Sequence, residues 1–325
     1  MMCLKCQGLI KAIDAYLAKA DDDLQEHLKA EGFVEPELTV QYISNIVGQL
    51  EITFAAENDW IIEQAEQSLD LETFAHDKWP GIRDVTPLKA EVAKIFKAEF
   101  SLFMPQYVEY YIQRTDKELV CPALSKRTTA WISEWSDTLG ELMKLSSGKE
   151  IETILQTGLA NGDGVADFAL AIQQAGIRDP YWKARRAAIT EVLRAHSVAQ
   201  QEAMMQSPVV EDKIWRHTGS YRNDPRENHV AMNGQRVRKD LPFTLAGADG
   251  GVYTPMYPRD GSLPAGESVN CHCFAEPVVS DSIFGFTLEE RKAMQQQAIE
   301  EMDWSWEAEL DAKNKAKAGI EEYVL

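Results

Sequence analysis

Asp224-Pro225-Arg226-Glu227-Asn228-His229-Val230-Ala231-Met232-Asn233-Gly234, and further on Ser268-Val269-Asn270-Cys271-His272-Cys273-Phe274, form the stretch around which this chain is organised. Asp224 can cap a helix, Pro225 suits its first position, and Glu227 can reach back as in a capping box. Gly234 ends that helix, which predicts two turns with His229 in the middle and with Arg226 and Asn233 on its face. Just upstream, Lys213 to Thr218 alternates apolar and polar residues, the pattern of a half-buried strand. Gln235 to Arg238 and Gly251 to Tyr253 are expected as short strands. The run Pro255 to Pro264 cannot be regular structure, and so many prolines are ordered only if something holds them down. In an extended chain Cys271 and Cys273 point one way and His272 the other, and Phe274, Glu276 and Val278 continue as a strand.

Three chemistries fit these residues. His229, Cys271 and Cys273 are zinc-ligand types, with His217, Asp224 or water as a fourth ligand, and a metal would pin an irregular module. The C-x-C spacing is a poorer chelate signature than C-x-x-C. A second possibility is catalysis, by a Cys–His nucleophile pair or a metal-bound water. The third is structural, with reduced cysteines packed in a core and His229 hydrogen-bonded to the proline-rich loop.

On both sides of this module apolar residues recur at helical spacing. Residues 36–68 predict one helix. Asp77 to Asp84 is expected as a loop from its Pro-Gly pair, and a helix from Pro87 to about Arg114 is expected to bend or break at Pro105. Helices are further predicted from Thr128 to a stop at Gly148, then to the turn Asn161-Gly162-Asp163-Gly164. A short one follows to Gly176, and a long one from Asp179-Pro180 to about Gln206. The basic cluster Lys183, Arg185, Arg186 and Arg194 is expected on a solvated face, or facing an acidic partner. Trp60, Trp79, Tyr107, Tyr110 and Tyr111 are assigned to the core. Thr287 to about Ala318 is a charged terminal helix, packed by Trp304 and Trp306 or used for docking. The fold class is therefore mainly α. It consists of a helical N-terminal domain (1–125, boundary between 115 and 126), an α+β module with a small antiparallel sheet (126–280), and a charged helical tail (281–325).

At 325 residues and 45% hydrophobic, the chain can bury a sizeable core. Its net charge of −19 argues against wrapping nucleic acid or binding an anionic membrane surface. The central module is near neutral, so the negative charge lies on the helices. Five cysteines, odd in number and scattered, suit a reducing compartment rather than a disulfide scaffold. Cys3-Leu4-Lys5-Cys6 is half a zinc or redox motif, and the helical spacing of Leu9, Ile10 and Ile13 favours two incidental thiols on a first helix. No apolar run is long enough to span a membrane, and no signal region is evident, so a soluble intracellular protein is expected.

In combination, Trp215, Arg226-x-x-His229-x-x-Met232-x-Gly234, Pro242-Phe243, Tyr257-Pro258 and Asn270-Cys271-x-Cys273 resemble the Mu F-type head-morphogenesis family of tailed phages and prophages. The resemblance extends upstream through Arg186, Ala187, Ile189, Thr190 and Glu191, and covers about 126–279. It implies a minor capsid protein with portal and capsid partners, acting in procapsid assembly and DNA delivery, in the virion head or in the host cytoplasm during assembly. It implies no enzymatic activity and brings no established mechanism. The chain departs from the family pattern at Asn223, where an Asp is usual, at Pro225 in place of Thr, and at His272 in place of Arg. The missing acid at 223 weakens any catalytic role. Arg226, Gly234, Tyr257, Pro258 and Asn270 are then family or structural positions. Two other classes remain: a metal- or Cys-dependent, nuclease-like hydrolase encoded beside phage genes, and a host regulatory protein binder.

Overall fold

The computed structural model describes residues 23–218, 225–269, 271–280 and 285–317. Cys3, Cys6 and the first helix expected around them lie outside these residues. After a helical stretch at 23–30 the chain forms α1 (Pro36–Glu66), α2 (Leu71–Thr73), a π-helical turn (Phe74–Lys78), α3 (Trp79–Val85), α4 (Leu88–Thr115), α5 (Lys126–Asn161) and α6 (Val165–Gln206). A short α+β module follows: β1 (Val210–Arg216), α7 (Glu227–Ala231), β2 (Arg236–Arg238), β3 (Leu245–Ala246), β4 (Val252–Tyr253), α8 (Ala265–Ser268) and β5 (Phe274–Val279). Helix α9 (Leu288–Lys317) then returns against α5 and α6. The mainly helical chain with a small antiparallel sheet is the expected fold class.

The helices are longer than Gly and Pro punctuation predicts. The expected loop at Asp77–Asp84 is helical, because Pro80 sits in the first turn of α3, where its missing N–H costs no hydrogen bond. Helix α4 passes through Pro105, which lies on the exposed side between the buried Phe103 and Tyr107. Helix α5 runs unbroken through Gly148, and α6 through Gly176 and Pro180. In α6, Phe168 and Ile172 pack into one core cluster while Ala184 and Ala188 pack into another. Burial at both ends holds a single axis and outweighs the ~3 kcal/mol that an interior proline costs. Gly162 does end α5, in the left-handed conformation at φ 75°.

Helix α6 is the spine of the molecule. One face, with Ala184, Ala188, Val192, Ala195 and Ala199, packs against α1, α4 and α5, so the core crosses residues 115–126. Small side chains there allow close approach of the neighbouring helices. Polar residues of the spine are buried with it. Glu202 accepts from the Ser125 amide and hydroxyl at 2.8 Å each, from the Thr128 hydroxyl at 2.7 Å and from Gln206 at 2.9 Å. It thereby ties the N-cap of α5 to the spine. His196 bonds Thr39 on α1 at 2.9 Å and Tyr111 on α4 at 3.1 Å. Arg194, expected on a solvated face, is buried: it pairs with Glu191 at 2.8 Å and lies over the Trp135 ring.

The three-stranded sheet has the order β2-β1-β5, antiparallel throughout, with Lys213 opposite both Val237 and Pro277. Strands β3 and β4 form a separate hairpin. Helix α9 packs through Ile299 and Met302. Its Arg291 pairs with Asp116 and Glu118, and Gln295 donates to the Val120 carbonyl at 2.9 Å. Trp304, by contrast, is 74% exposed, so it does not pack the tail. Among the described residues no helix is long and apolar enough to cross a membrane.

Candidate functional site

Strand β1 ends at Arg216, and the chain that follows it is held against α7 by the backbone. The Gly234 amide donates to the Trp215 carbonyl at 2.8 Å, and the Trp215 amide to the Gln235 carbonyl at 2.9 Å. Gly234 takes φ 90°, a left-handed turn that suits glycine and reverses the chain from α7 into β2. Helix α7 is one turn rather than the expected two. Its N-cap is Arg226, without a side-chain cap, while Asp224, Asn223 and Asn270 lie outside the described residues. Glu227 is thus the first helical residue. Arg226 instead reaches across to the Val269 carbonyl at 2.6 Å. Asn233 accepts from the His217 amide at 3.1 Å. These two residues therefore fasten α7 to the C-x-C turn on one side and to the end of β1 on the other.

His229, Cys271 and Cys273 are brought together, all buried, with their nitrogen and sulfur ligand atoms within 4.8 Å of one another. His229 Nδ1 lies 3.6 Å from the Cys271 sulfur and 3.7 Å from that of Cys273. His217 Nδ1 approaches Cys273 at 3.6 Å. His229 Nε2 is 2.9 Å from a Glu267 oxygen. Glu267, on α8, is itself fixed by Asn228 at 3.0 Å and by the Ala248 amide at 2.8 Å. The thiols are free, not joined as a disulfide. His272 points the other way, as alternation predicts, and bonds Glu31 at 2.8 Å.

The charges in this cluster are interdependent. The two thiols share a proton: the Cys273 S–H donates to Cys271, which lowers Cys271 well below the ordinary thiol range and raises Cys273. Burial on its own would lower His229. The hydrogen bond and negative charge of Cys271, with the Glu267 carboxylate, outweigh burial and raise it. Glu267 would be raised by burial, but the Ala248 amide, Asn228 and His229 hold it low. Trp215 meets the His229 ring edge-on at 5.8 Å.

Behind the cysteines stands Arg259, 1% exposed, which the sequence motifs did not single out. It donates to the carbonyls of Cys271, Cys273 and Leu193 and to the Ser197 hydroxyl. This fork, with Lys213 bonding the Met256 carbonyl at 2.7 Å and Asp260 accepting from the Met256 amide at 2.9 Å, is what holds the proline-rich loop. Beside Arg259, Pro258 is buried and Tyr257 packs on the helical core. Glu267 likewise went unmarked, because nothing in its local sequence separates it from a surface glutamate. Arg259 was legible only as a cation inside a loop that needed an anchor.

The residues of this arrangement lie in a segment that is similar to known proteins. Residues 149–276 match the family described as "Phage Mu protein F like protein". The chain is 38% identical over 198 residues to the "Uncharacterized protein YqbB" of Bacillus subtilis (strain 168). That match covers 61% of this chain and 64% of the relative, so less than two thirds of the relative's length is spanned. No solved structure matches. The matched segment starts within α5, contains all of α6, and ends in β5, so it includes His217, His229, Arg259, Glu267 and both buried cysteines. From the second half of α5 to β5, this chain carries a Phage Mu protein F-like region.

Proposed function

We propose that the chain is a minor capsid, head-morphogenesis protein of a tailed phage or prophage, associated with the portal and acting in procapsid assembly and DNA delivery. The observation that carries this reading is the family match over the residues that build the buried cluster. In this reading residues 126–280 are the family module, while 1–125 and 281–325 supply contacts to portal and capsid proteins. The protein works in the host cytoplasm during assembly and in the virion head afterwards. A scaffold role rather than a reaction is supported by the cluster itself. Cys271 and Cys273 are 3% and 2% exposed, and a nucleophile has to be reached by its substrate.

Mass spectrometry of purified particles is expected to find the chain, and deletion of its gene to lower particle yield or infectivity. Particles that never contain it would overturn the proposal. A nuclease assay with a His229→Ala control separates the hydrolase alternative: activity lost in that variant would favour it.

A further inference from the structure

We propose that His229, Cys271 and Cys273 hold a zinc ion that pins helix α7 to the C-x-C turn, and that His217, 3.6 Å from Cys273 but outside the mutual 4.8 Å of those three, closes in as the fourth ligand and ties in the end of β1. This does not depend on the head-morphogenesis reading, since it stands whether or not the chain enters a particle.

The distances carry it first. A tetrahedral zinc about 2.3 Å from sulfur and 2.0–2.1 Å from nitrogen sets its sulfur and nitrogen ligands roughly 3.6 Å apart. The three sulfur–nitrogen distances here are 3.6, 3.7 and 3.6 Å. A thiol–imidazole hydrogen bond accounts for one such contact. A second one, to His217, accounts for another, but the remaining contact of Cys273 with the same His229 nitrogen would need a three-centre bond. Cys273, moreover, stands at the same distance from a second imidazole. A shared cation explains both contacts of His229 Nδ1 with one object, and the His217 contact marks the side from which a fourth ligand is supplied.

The surroundings agree. With Nε2–H of His229 donating to Glu267 at 2.9 Å, Nδ1 presents its lone pair to the sulfurs, which is the metal-binding tautomer. A carboxylate behind a ligating histidine is the usual outer partner of a zinc site. The buried Trp215 Nε1 has no hydrogen-bond partner among the described residues. Two thiolates and two neutral imidazoles balance a divalent cation, and sulfur with imidazole selects zinc over calcium or magnesium. Arg259 and Thr218 bond the carbonyls of residues 271–273, so the turn is oriented by its backbone and its thiols are left for the ion. With His217 drawn in, four protein ligands leave no open position, which makes the site structural rather than catalytic.

The test uses the full chain, purified reduced and without chelator. Elemental analysis is expected to find one zinc per chain. Cobalt put in its place should show the visible bands of a tetrahedral ion and a thiolate-to-cobalt charge-transfer band. Titrating wild-type protein with a mercurial should release zinc in step with modification of two thiols, a readout that needs no variant to fold. In chelator competition Glu267→Gln should keep the stoichiometry and weaken binding about 10–100-fold. His217→Ala should weaken binding as well. The site is overturned if wild-type protein contains no zinc and binds neither zinc nor cobalt after reduction. A Cys271–Cys273 disulfide in the intact protein overturns it too, as does a cobalt spectrum without thiolate bands. Unchanged affinity in His217→Ala overturns the four-ligand set.

Discussion

Arg259 donates to the Cys271 carbonyl at 2.6 Å, and the same guanidinium nitrogen reaches the Cys273 carbonyl at 2.9 Å. Arg259 takes φ 65°, a backbone state rare for side chains other than glycine, and is held there by the bonds its guanidinium makes to α6. The charge that most favours this buried cation is the Cys271 thiolate. One residue therefore joins the spine helix, the proline-rich loop and the cysteine turn.

Arg259→Lys keeps the charge but loses the fork, so several buried carbonyls lose their donor. Urea unfolding should show a loss of about 2–4 kcal/mol, because unpaired buried polar groups cost more than the bonds they replace. A midpoint equal to wild type would show that the fork is dispensable.

Gly140 and Gly148 lie on the same helix and should respond oppositely to alanine. Intrinsic propensity favours alanine at both by about 1 kcal/mol. A Cβ at Gly140 would stand 2.3 Å from the Lys89 carbonyl oxygen, backbone that cannot give way without moving α4. At Gly148 it would meet only the flexible Arg83 side chain, at 3.4 Å. Gly140→Ala should lower stability by about 1–3 kcal/mol, and Gly148→Ala should leave it equal or higher. Thermal or urea midpoints of the two variants decide this, and a stabilised Gly140→Ala would refute the close approach of α4 and α5.

His196 supplies a pH dependence whose sign is set by its burial. Burial, and then the charge of Arg259, push its pKa down from 6.5 to about 3. Above the unfolded value both states are neutral. As pH falls from about 6.5 toward 3, the unfolded chain takes up a proton that the folded one refuses, so stability falls across that window. His196→Gln can keep bonds to Thr39 and Tyr111 and does not titrate. Its urea midpoint should therefore fall less than wild type's between neutral pH and pH 4. Parallel curves for the two proteins would remove His196 as the cause.

The helices were legible because burying one face imposes a period that survives in a single sequence: Ile43, Ile46, Val47 and Leu50 mark α1 without any partner in view. Their ends were less legible. Gly148, Gly176 and Pro180 are local costs of a few kcal/mol at most, and whether a helix continues past them depends on contacts made elsewhere. The same holds for Arg194. A cation eight residues beyond others on a helix looks solvated until Glu191, Trp135 and the Arg259 carbonyl close around it.

By itself the sequence determined the class of the fold, the module between its helices, and the pairing of His229 with Cys271 and Cys273 as the residues to watch. Side-chain chemistry and the two-residue period of an extended chain are local properties and can be read in order. Only the tertiary structure set His217 beside Cys273 and Glu267 behind His229. It also made Arg259 the anchor of the loop. Those are distances between residues far apart in the chain, and they exist only once α6 has gathered the strands, the loop and the cysteine turn onto its polar residues.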